Sequence, residues 1–314
     1  MTCRNSDPKV LTSLSQMWSI SRPVVVNPRR AKAARRAVAS LTIGGAELDR
    51  GTRPMLEVID KGSTTESHPV PLLFVHGACI AAWCWDEHFL DFFADKGYRA
   101  VALSLRGHGA SSLSKPLNSC SIADYADDVH DVVVKLGSAP VLIGHSMGCF
   151  VVLNYVVRQG CPAAVLMAPG TPRGLRRWAF RTLRRHPWIS LRANTFGNLA
   201  DLFNTLALAR EIGFSASTPD AIVKSCAARL EPESTRAARD TVNRLPDASL
   251  VTAPMLVLGA RDDGMRIAGD VSAFAETYQT DVEIFPNMGH VMMLEPGWQA
   301  VAERIDNWLG RQGL

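Results

Sequence analysis

Short runs of apolar residues alternate with amphipathic stretches along most of the chain after residue 50. The runs are continuously apolar, which is typical of strands covered on both faces in a parallel sheet. The predicted strands are Met55–Ile59, Pro71–Val75, Ala100–Leu105, Val141–Ile143, Ala163–Met167, Met255–Leu258 and Val282–Phe285. Helices are predicted near 86–96, 121–136, 147–158, 267–278 and 296–309. This alternation of strand and helix predicts an open α/β sheet.

Residues 171–248 interrupt the alternation, because they contain several helical patterns and no convincing strand. In the first pattern, apolar residues share one helical face and arginines cover the other. The mainly apolar face contains Leu175, Trp178, Ala179, Thr182 and Leu183, and the arginines are Arg176, Arg177, Arg181, Arg184 and Arg185. We therefore predict a core of 49–170 and 249–314 with a helical lid, 171–248, inserted between two late strands. The arginine face is typical of a solvated surface or of contact with an anionic membrane.

The 314 residues include 34 Lys+Arg and 30 Asp+Glu, but these charges are distributed unevenly. Residues 1–46 contain eight cations and one anion, so the rest of the chain is mildly acidic. An acidic body disfavours nucleic acid as a partner. We interpret 1–48 as a basic, disordered N-terminal extension. Because this segment is rich in Arg and Ser and poor in acids, an organelle transit peptide is the alternative.

Seven cysteines are scattered along the chain and include no C-x-x-C pair. This spacing is typical neither of a disulfide framework nor of a zinc site. We therefore expect reduced thiols, a cytoplasmic location and no bound metal. The sequence predicts no particular oligomeric state.

The sequence Gly144-His-Ser-Met-Gly148 lies between a predicted strand and a predicted helix. This is the G-x-S-x-G pattern in the strand–turn–helix context that exposes a serine nucleophile. The flanking glycines relieve crowding where the backbone turns back on itself. Ser146 is therefore the predicted nucleophile. The backbone N–H of Met147, at the start of the helix, is a predicted oxyanion donor.

Carboxylates and a histidine follow later strands, in the chain order Ser…Asp…His. Asp262 and Asp263 end the strand that begins at Met255, and His290 follows the strand that ends at Phe285. In such a site the histidine removes the proton of the serine, and a carboxylate orients the imidazole. Either aspartate can take this role, since neighbouring residues on an irregular loop can each face the imidazole.

The segment His76-Gly77-Ala78 follows another predicted strand. This is where a second oxyanion donor is expected, and we assign that role to the backbone N–H of Ala78. His76, Gly77 and His145 are weaker candidates for substrate binding, because structural roles also explain them.

From about Met55 to its C-terminus, the chain resembles the α/β-hydrolase fold superfamily. The resemblance rests on His76-Gly77, Arg106–Ser111, the Ser146 turn, the Asp-bearing strand end and Gly289-His290. The loop 76–85 is also similar to that of plant methylesterases and hydroxynitrile lyases. The segment 144–148 is similar to that of lysophospholipase and monoacylglycerol-lipase relatives. The resemblance implies an α/β-hydrolase fold with a mostly parallel sheet, and relatives whose acid precedes a short turn favour Asp263 over Asp262.

These features together predict a serine hydrolase that cleaves a carboxylic ester through an acyl-enzyme. The expected substrate is a small, partly apolar ester, and the predicted chemistry uses no cofactor and no metal. One alternative is hydroxynitrile-lyase or carbon–carbon hydrolase chemistry on the same triad. Lys224, the only lysine in 171–248, would then be the candidate extra group. A ligand receptor with slow turnover is a further alternative.

Overall fold

The computed structural model describes residues 53–314 with the exception of 197–198, 204 and 266–267. The predicted N-terminal extension, residues 1–48, lies outside the described residues. The strands and helices given below belong to the described part of the chain.

Seven strands of this part form one sheet in the order β1-β3-β2-β4-β5-β6-β7. The strands are β1 (Val58–Lys61), β2 (Leu72–Val75), β3 (Ala100–Leu103), β4 (Val141–His145), β5 (Ala164–Met167), β6 (Met255–Ala260) and β7 (Asp281–Phe285). β1 runs antiparallel to β3, whereas every other neighbouring pair is parallel. The mostly parallel sheet expected from the continuous apolar runs is therefore confirmed.

Helices cover both faces of the sheet. They are α1 (Trp83–Asp86), α2 (Phe89–Asp95), α3 (Ile122–Leu136), α4 (Met147–Gln159), α5 (Pro172–Arg185), α6 (Pro187–Phe196), α7 (Leu206–Gly213), α8 (Asp220–Ala227), α9 (Thr235–Asn243), α10 (Ala268–Thr277) and α11 (Trp298–Gln312). Helices α1, α2 and α11 pack on one face, and α3, α4 and α10 on the other. Along β2, successive side chains alternate between these two core layers, as the pleat requires. Within the described residues, no helix is long and apolar enough to cross a membrane.

The start of α3 shows how local sequence sets a helix boundary. The side chain of Ser121 accepts a hydrogen bond from the backbone N–H of Asp124 at 3.2 Å. The Asp124 carboxylate in return accepts one from the backbone N–H of Ser121 at 2.7 Å. This reciprocal capping satisfies two N–H groups that have no partner inside the helix. The helix ends at Gly137, whose left-handed backbone (φ 73°) suits a residue without a Cβ.

Strands β4 and β6 run further at their carboxyl ends than the apolar pattern predicted. β4 continues through His145 and β6 through Ala260, because both residues still pair with a neighbouring strand. Since the strands are parallel, their carboxyl ends meet at one edge of the sheet. The segments that follow β4 and β6, which contain Ser146 and Asp263, therefore begin at that edge.

The interval between β5 and β6 contains helices α5 to α9 and, within its described residues, no strand. Helix α5 begins at Thr171, whose side chain accepts a hydrogen bond from the N–H of Gly174 at 3.0 Å. Leu175 and Thr182 of the predicted apolar face are buried, but Leu183 is 47% exposed. The difference arises because Leu183 lies at the edge of that face, about 80° around the helix from Leu175.

Candidate active site

Ser146 occupies a strained turn between β4 and α4. Its backbone has φ 51° and ψ −115°, a conformation that residues with a Cβ rarely adopt. A Cβ on Gly144 would lie 2.7 Å from the carbonyl oxygen of Gly148. A Cβ on Gly148 would collide with the carbonyl oxygen of Val75 in β2. Both glycines are therefore required for the serine to leave the strand at this angle.

The structure brings Ser146, His290 and Asp263 into one line of hydrogen bonds. His290 Nε2 lies 2.9 Å from Ser146 Oγ, and His290 Nδ1 lies 2.7 Å from Asp263 Oδ2. Because a carboxylate can only accept, Nδ1 carries the proton and Nε2 is left to accept from the serine hydroxyl. All three residues are at least 95% buried. The serine hydroxyl therefore faces a base whose orientation is fixed on its far side.

The two candidate aspartates point in different directions. The second carboxylate oxygen of Asp263 accepts a hydrogen bond from the N–H of Met265 at 2.8 Å, which fixes the turn. Arg181 of α5 holds the same turn by donating to the carbonyl oxygen of Gly264 at 2.5 Å. Asp262, by contrast, is exposed. Of the two, Asp263 is the residue that contacts the imidazole.

The two predicted oxyanion donors flank Ser146. Ala78 and Met147 line the same cavity as Ser146 and His290. Met147 is the first residue of α4, so its N–H has no partner within the helix. In the part of the chain that the structure describes, neither N–H has a protein acceptor. Both donors are therefore available to an oxygen atom that develops negative charge beside the serine.

His76 and Gly77 are not among the residues that line this cavity, so the geometry gives no support to their predicted role in substrate binding. His76 is completely buried, and its Nδ1 donates to the carbonyl oxygen of Gly77 at 2.8 Å. Its Nε2 accepts from the backbone N–H of Leu105 at 3.0 Å, so both ring nitrogens are used. A Cβ on Gly77 would lie 2.8 Å from the imidazole of His145. Both residues thus brace the oxyanion loop against its neighbours.

His145 does line the cavity, although it is 98% buried. Its Nε2 lies 2.9 Å from the carbonyl oxygen of His290, and the two imidazole rings are 4.9 Å apart. His145 therefore lines the cavity and also contacts the loop that contains His290.

The cavity has a volume of about 290 Å³ and opens onto Ser146 and His290. Most of its wall is apolar, and much of that wall comes from the interval between β5 and β6. Lining residues that the sequence analysis did not identify include Ile80, Phe150, Leu202, Phe214, Leu230 and Val242. No sequence signal distinguishes them, because apolar residues at helical spacing look the same whether they face a core or a cavity. An apolar cavity with few polar groups is typical of a site for a small molecule.

Lys224, the candidate extra group for lyase chemistry, lies outside this site. It is exposed on α8, whose buried residues Val223 and Cys226 lie on the other side of the helix. Among the described residues, no group of three or more His, Cys, Asp or Glu side chains could hold a metal ion.

The alpha/beta hydrolase family model matches residues 72–304, which include every residue of this site. The chain belongs to the alpha/beta hydrolase family. A non-heme chloroperoxidase of Burkholderia pyrrocinia is 38% identical over 34% of this chain and 39% of its own length. A bifunctional esterase/perhydrolase of Acinetobacter calcoaceticus is 31% identical over 42% of this chain and 51% of its own length. The matched stretches thus span about half or less of the length of these curated relatives.

Solved structures of esterases share the fold. A thermophilic esterase from Thermogutta terrifontis superposes with a TM-score of 0.63 at 22% identity, covering 82% of this chain and 94% of the esterase. An esterase from Rhodococcus sp. gives a TM-score of 0.63 at 21% identity, covering 81% and 94% of the two chains. At this identity the superpositions establish the α/β-hydrolase fold.

The brace at His76 predicts a specific loss of stability in acid. Burial, together with the nearby His108, lowers the pKa of His76 from 6.5 to about 3. Between those values the unfolded chain binds a proton that the folded chain excludes, so stability falls as the pH falls. From pH 6.5 to 5 this histidine should account for about 2 kcal/mol of lost unfolding free energy.

Urea unfolding of wild type and His76→Asn at both pH values measures this loss. The asparagine does not titrate, so the variant should lose about 2 kcal/mol less than wild type over the interval. Equal losses in the two proteins would show that His76 does not resist protonation in the fold.

Proposed function

We propose that this protein is a serine hydrolase that cleaves a small, partly apolar carboxylic ester. The observation that carries the proposal is the hydrogen-bonded line Ser146–His290–Asp263, which opens into an apolar cavity between two free N–H donors. Base, nucleophile and oxyanion donors are then all supplied by the chain itself.

In the proposed mechanism, Ser146 Oγ attacks the ester carbonyl carbon while His290 Nε2 takes the hydroxyl proton. The carbonyl oxygen becomes an oxyanion, which accepts hydrogen bonds from the N–H groups of Ala78 and Met147. The intermediate collapses, the bond to the alcohol oxygen breaks, and His290 donates its proton to the departing alcohol. A water deprotonated by His290 then attacks the acyl-enzyme, releasing the carboxylic acid and restoring Ser146. Asp263 stabilises the imidazolium in both halves of the reaction.

Three alternatives use the same residues. Carbon–carbon or cyanohydrin cleavage was expected to use Lys224 as an extra group. Lys224 is exposed on α8 and lies outside the site, so this alternative has less support. Perhydrolysis is favoured by the name of the esterase/perhydrolase relative, because hydrogen peroxide can replace water in attacking the same acyl-enzyme. A receptor with slow turnover would retain the geometry but release little acid. Rates measured with and without peroxide separate these outcomes.

An ester panel tests the proposed activity. A cavity of about 150 Å³ holds a benzene molecule, so this cavity accommodates an acyl chain of about four to eight carbons. We expect p-nitrophenyl esters of that length to be hydrolysed fastest. The substitution Ser146→Ala should lower the rate by at least about 10⁴-fold. Ser190→Ala, which removes a buried serine outside the site, should retain wild-type activity.

A fluorophosphonate probe should label wild type and Ser190→Ala but not Ser146→Ala. Ester turnover that survives in Ser146→Ala would show that another residue is the nucleophile.

The adjacent aspartates provide a matched pair of variants. Asp263→Asn should lower kcat by about 10³–10⁴-fold, because the amide favours the wrong tautomer of the imidazole. Asp262→Asn makes the same chemical change on an exposed side chain and should leave kcat within about twofold of wild type. Steady-state kinetics of both variants on the best ester measure the difference. A reversed order would assign the acid to Asp262.

We also propose that the outer surface of α5 and α6 contacts an anionic membrane. Residues 172–192 contain seven arginines and no acidic residue. Large apolar side chains are exposed beside them, with Trp188 at 81%, Phe180 at 61% and Leu191 at 56% exposure. Exposed aromatic residues next to arginines are typical of helices that lie in a lipid interface.

The inner face of the same helix supports this second proposal. Leu175 and Trp178 of α5 line the cavity above Ser146. One helix therefore separates the candidate docking surface from the apolar site. An ester dissolved in the lipid would reach the site beside this helix, so residues 171–248 act as a lid in the proposal.

Vesicle sedimentation tests the membrane contact. Wild type should bind vesicles that contain phosphatidylglycerol more tightly than pure phosphatidylcholine vesicles, and salt should weaken the binding. The double variant Phe180→Ser/Trp188→Ser should bind about tenfold or more weakly. Leu250→Ser removes a side chain of similar exposure, 56%, outside α5 and α6 and should bind like wild type. Equal binding by the double variant, or self-association of wild type through this surface, would contradict the proposal.

The cysteines support a reducing, cytoplasmic location, which remains part of the proposal. Those in the described residues are free thiols, and all but Cys161 are buried. Buried free thiols persist in compartments where glutathione and thioredoxin keep them reduced.

A further inference from the structure

A buried carboxylate from the helical interval lies directly beneath the oxyanion loop. Glu233, which precedes α9, is completely buried. Its Oε1 accepts hydrogen bonds from the Tyr125 hydroxyl at 2.7 Å and the Ser234 N–H at 2.6 Å. Its Oε2 accepts from the backbone N–H of Cys79 at 3.4 Å and lies 3.2 Å from Nε2 of His108. A charge is buried this deeply only where its partners are fixed.

His108 is the countercharge of Glu233. Its Nδ1 donates to the carbonyl oxygen of Arg106 at 3.3 Å, while its Nε2 faces the Glu233 carboxylate. His108 Nε2 makes no well-aligned hydrogen bond to this carboxylate, but both neighbours of the ring are acceptors, and this arrangement favours the imidazolium form. Burial is the largest single effect and opposes this charge, but Glu233, together with Glu231 and the Arg106 carbonyl, outweighs it, so the pKa of His108 is raised. The pKa of Glu233 is lowered in turn, since His108 and the hydrogen bonds from Tyr125 and Ser234 together outweigh the effect of burial on the carboxyl.

The segment 231–233 holds both backbone polar groups of Cys79. The Cys79 N–H donates to the Glu233 side chain, and the Cys79 carbonyl oxygen accepts from the N–H of Glu231 at 2.9 Å. Cys79 has φ 65°, a left-handed conformation that is unfavourable for a residue with a Cβ. Such a conformation persists only where the surroundings enforce it. The hydrogen bonds that Glu231 and Glu233 make to Cys79 hold its backbone in this conformation.

These contacts bear on the neighbouring oxyanion donor. Ala78 lies between Gly77, which is braced by His76, and Cys79, which is held by Glu233. The peptide N–H of Cys79 belongs to the unit that directly follows Ala78, so holding it restricts the rotation of the Ala78 backbone. Displacing a catalytic group by about 1 Å can cost about 100-fold in rate.

We propose that Glu233 is a positioning residue, which fixes the Ala78 N–H toward the oxyanion by holding the backbone of Cys79. The proposal rests on the proposed function, because it requires an oxyanion beside Ser146. It gives the helical interval a second task besides covering the cavity: it completes the geometry that stabilises the transition state.

Kinetics of Glu233 variants test this role. Glu233→Leu should lower kcat by about 10–100-fold with KM within about threefold of wild type, because the oxyanion contact strengthens only in the transition state. The affinity for a trifluoromethyl ketone with the same acyl chain should fall by the same factor, since its adduct with Ser146 carries the oxyanion. Glu233→Gln keeps an oxygen that can accept from Cys79 and should recover most of the loss.

A second buried carboxylate provides the control for lost stability. Asp128 is completely buried and accepts three hydrogen bonds from Arg106 at 2.9 Å or less, with no contact to Cys79. Asp128→Asn should lower the unfolding temperature as Glu233→Leu does, yet leave kcat and ketone affinity within twofold of wild type. Should Asp128→Asn lose kcat to the same extent as Glu233→Leu, the effect of Glu233 is general destabilisation and the proposal is wrong.

The labelling rate of Ser146 by a fluorophosphonate separates the two proposals. The phosphoryl oxygen of the probe occupies the oxyanion position, so Glu233→Leu should be labelled more slowly by about the same factor as its kcat is lowered. If wild type and folded Glu233→Leu are labelled at the same rate, the positioning role is wrong but the proposed function stands. Wild type that neither turns over esters nor is labelled overturns the proposed function, and the positioning role with it.

Discussion

The strained turn at Ser146 is the constraint on which the rest of the site depends. A non-glycine residue with φ 51° costs about 1–3 kcal/mol, so the fold must hold it in place. The Ser146 N–H donates to the carbonyl oxygen of Met167 at 2.9 Å, which fixes the turn to β5. Gly148 permits the close approach of α4 to β2, and Gly144 permits the close approach of α4 to the end of β4. Because β4 lies in the middle of the sheet, its neighbours position the turn from both sides.

Two buried glutamates join the helical interval to the loops around the site. Glu233 of the interval reaches the oxyanion loop at Cys79. Glu295 of the core accepts from the Ser215 N–H at 2.6 Å and from the Gly289 N–H at 3.1 Å, next to His290. Both carboxylates are completely buried and fully hydrogen-bonded, so each fixes one arrangement of the helical interval against a loop of the core. The position of the interval and the geometry of the loops around Ser146 and His290 are therefore linked.

Helix α5 combines opposite properties on its two faces. Leu175 and Trp178 face the apolar cavity, whereas Phe180 and the arginines face outward. Arg181 lies between these faces and holds the turn that presents Asp263. The same helix thus contributes to the cavity wall, to the orientation of Asp263 and to the exposed surface. A shift of α5 would affect all three at once.

The sequence by itself determined the α/β class, the order of the strands along the chain, and Ser146 and His290 as candidates. These features are encoded locally, in apolar runs, glycine spacing and residues at strand ends. Only the tertiary structure decided that Asp263 faces His290, because the direction of an irregular turn depends on its contacts with α5. It also decided the bracing role of His76, the cavity wall and the contact of Glu233 with Cys79. That last pair lies 154 residues apart, and contacts between distant residues leave no periodic pattern in a sequence.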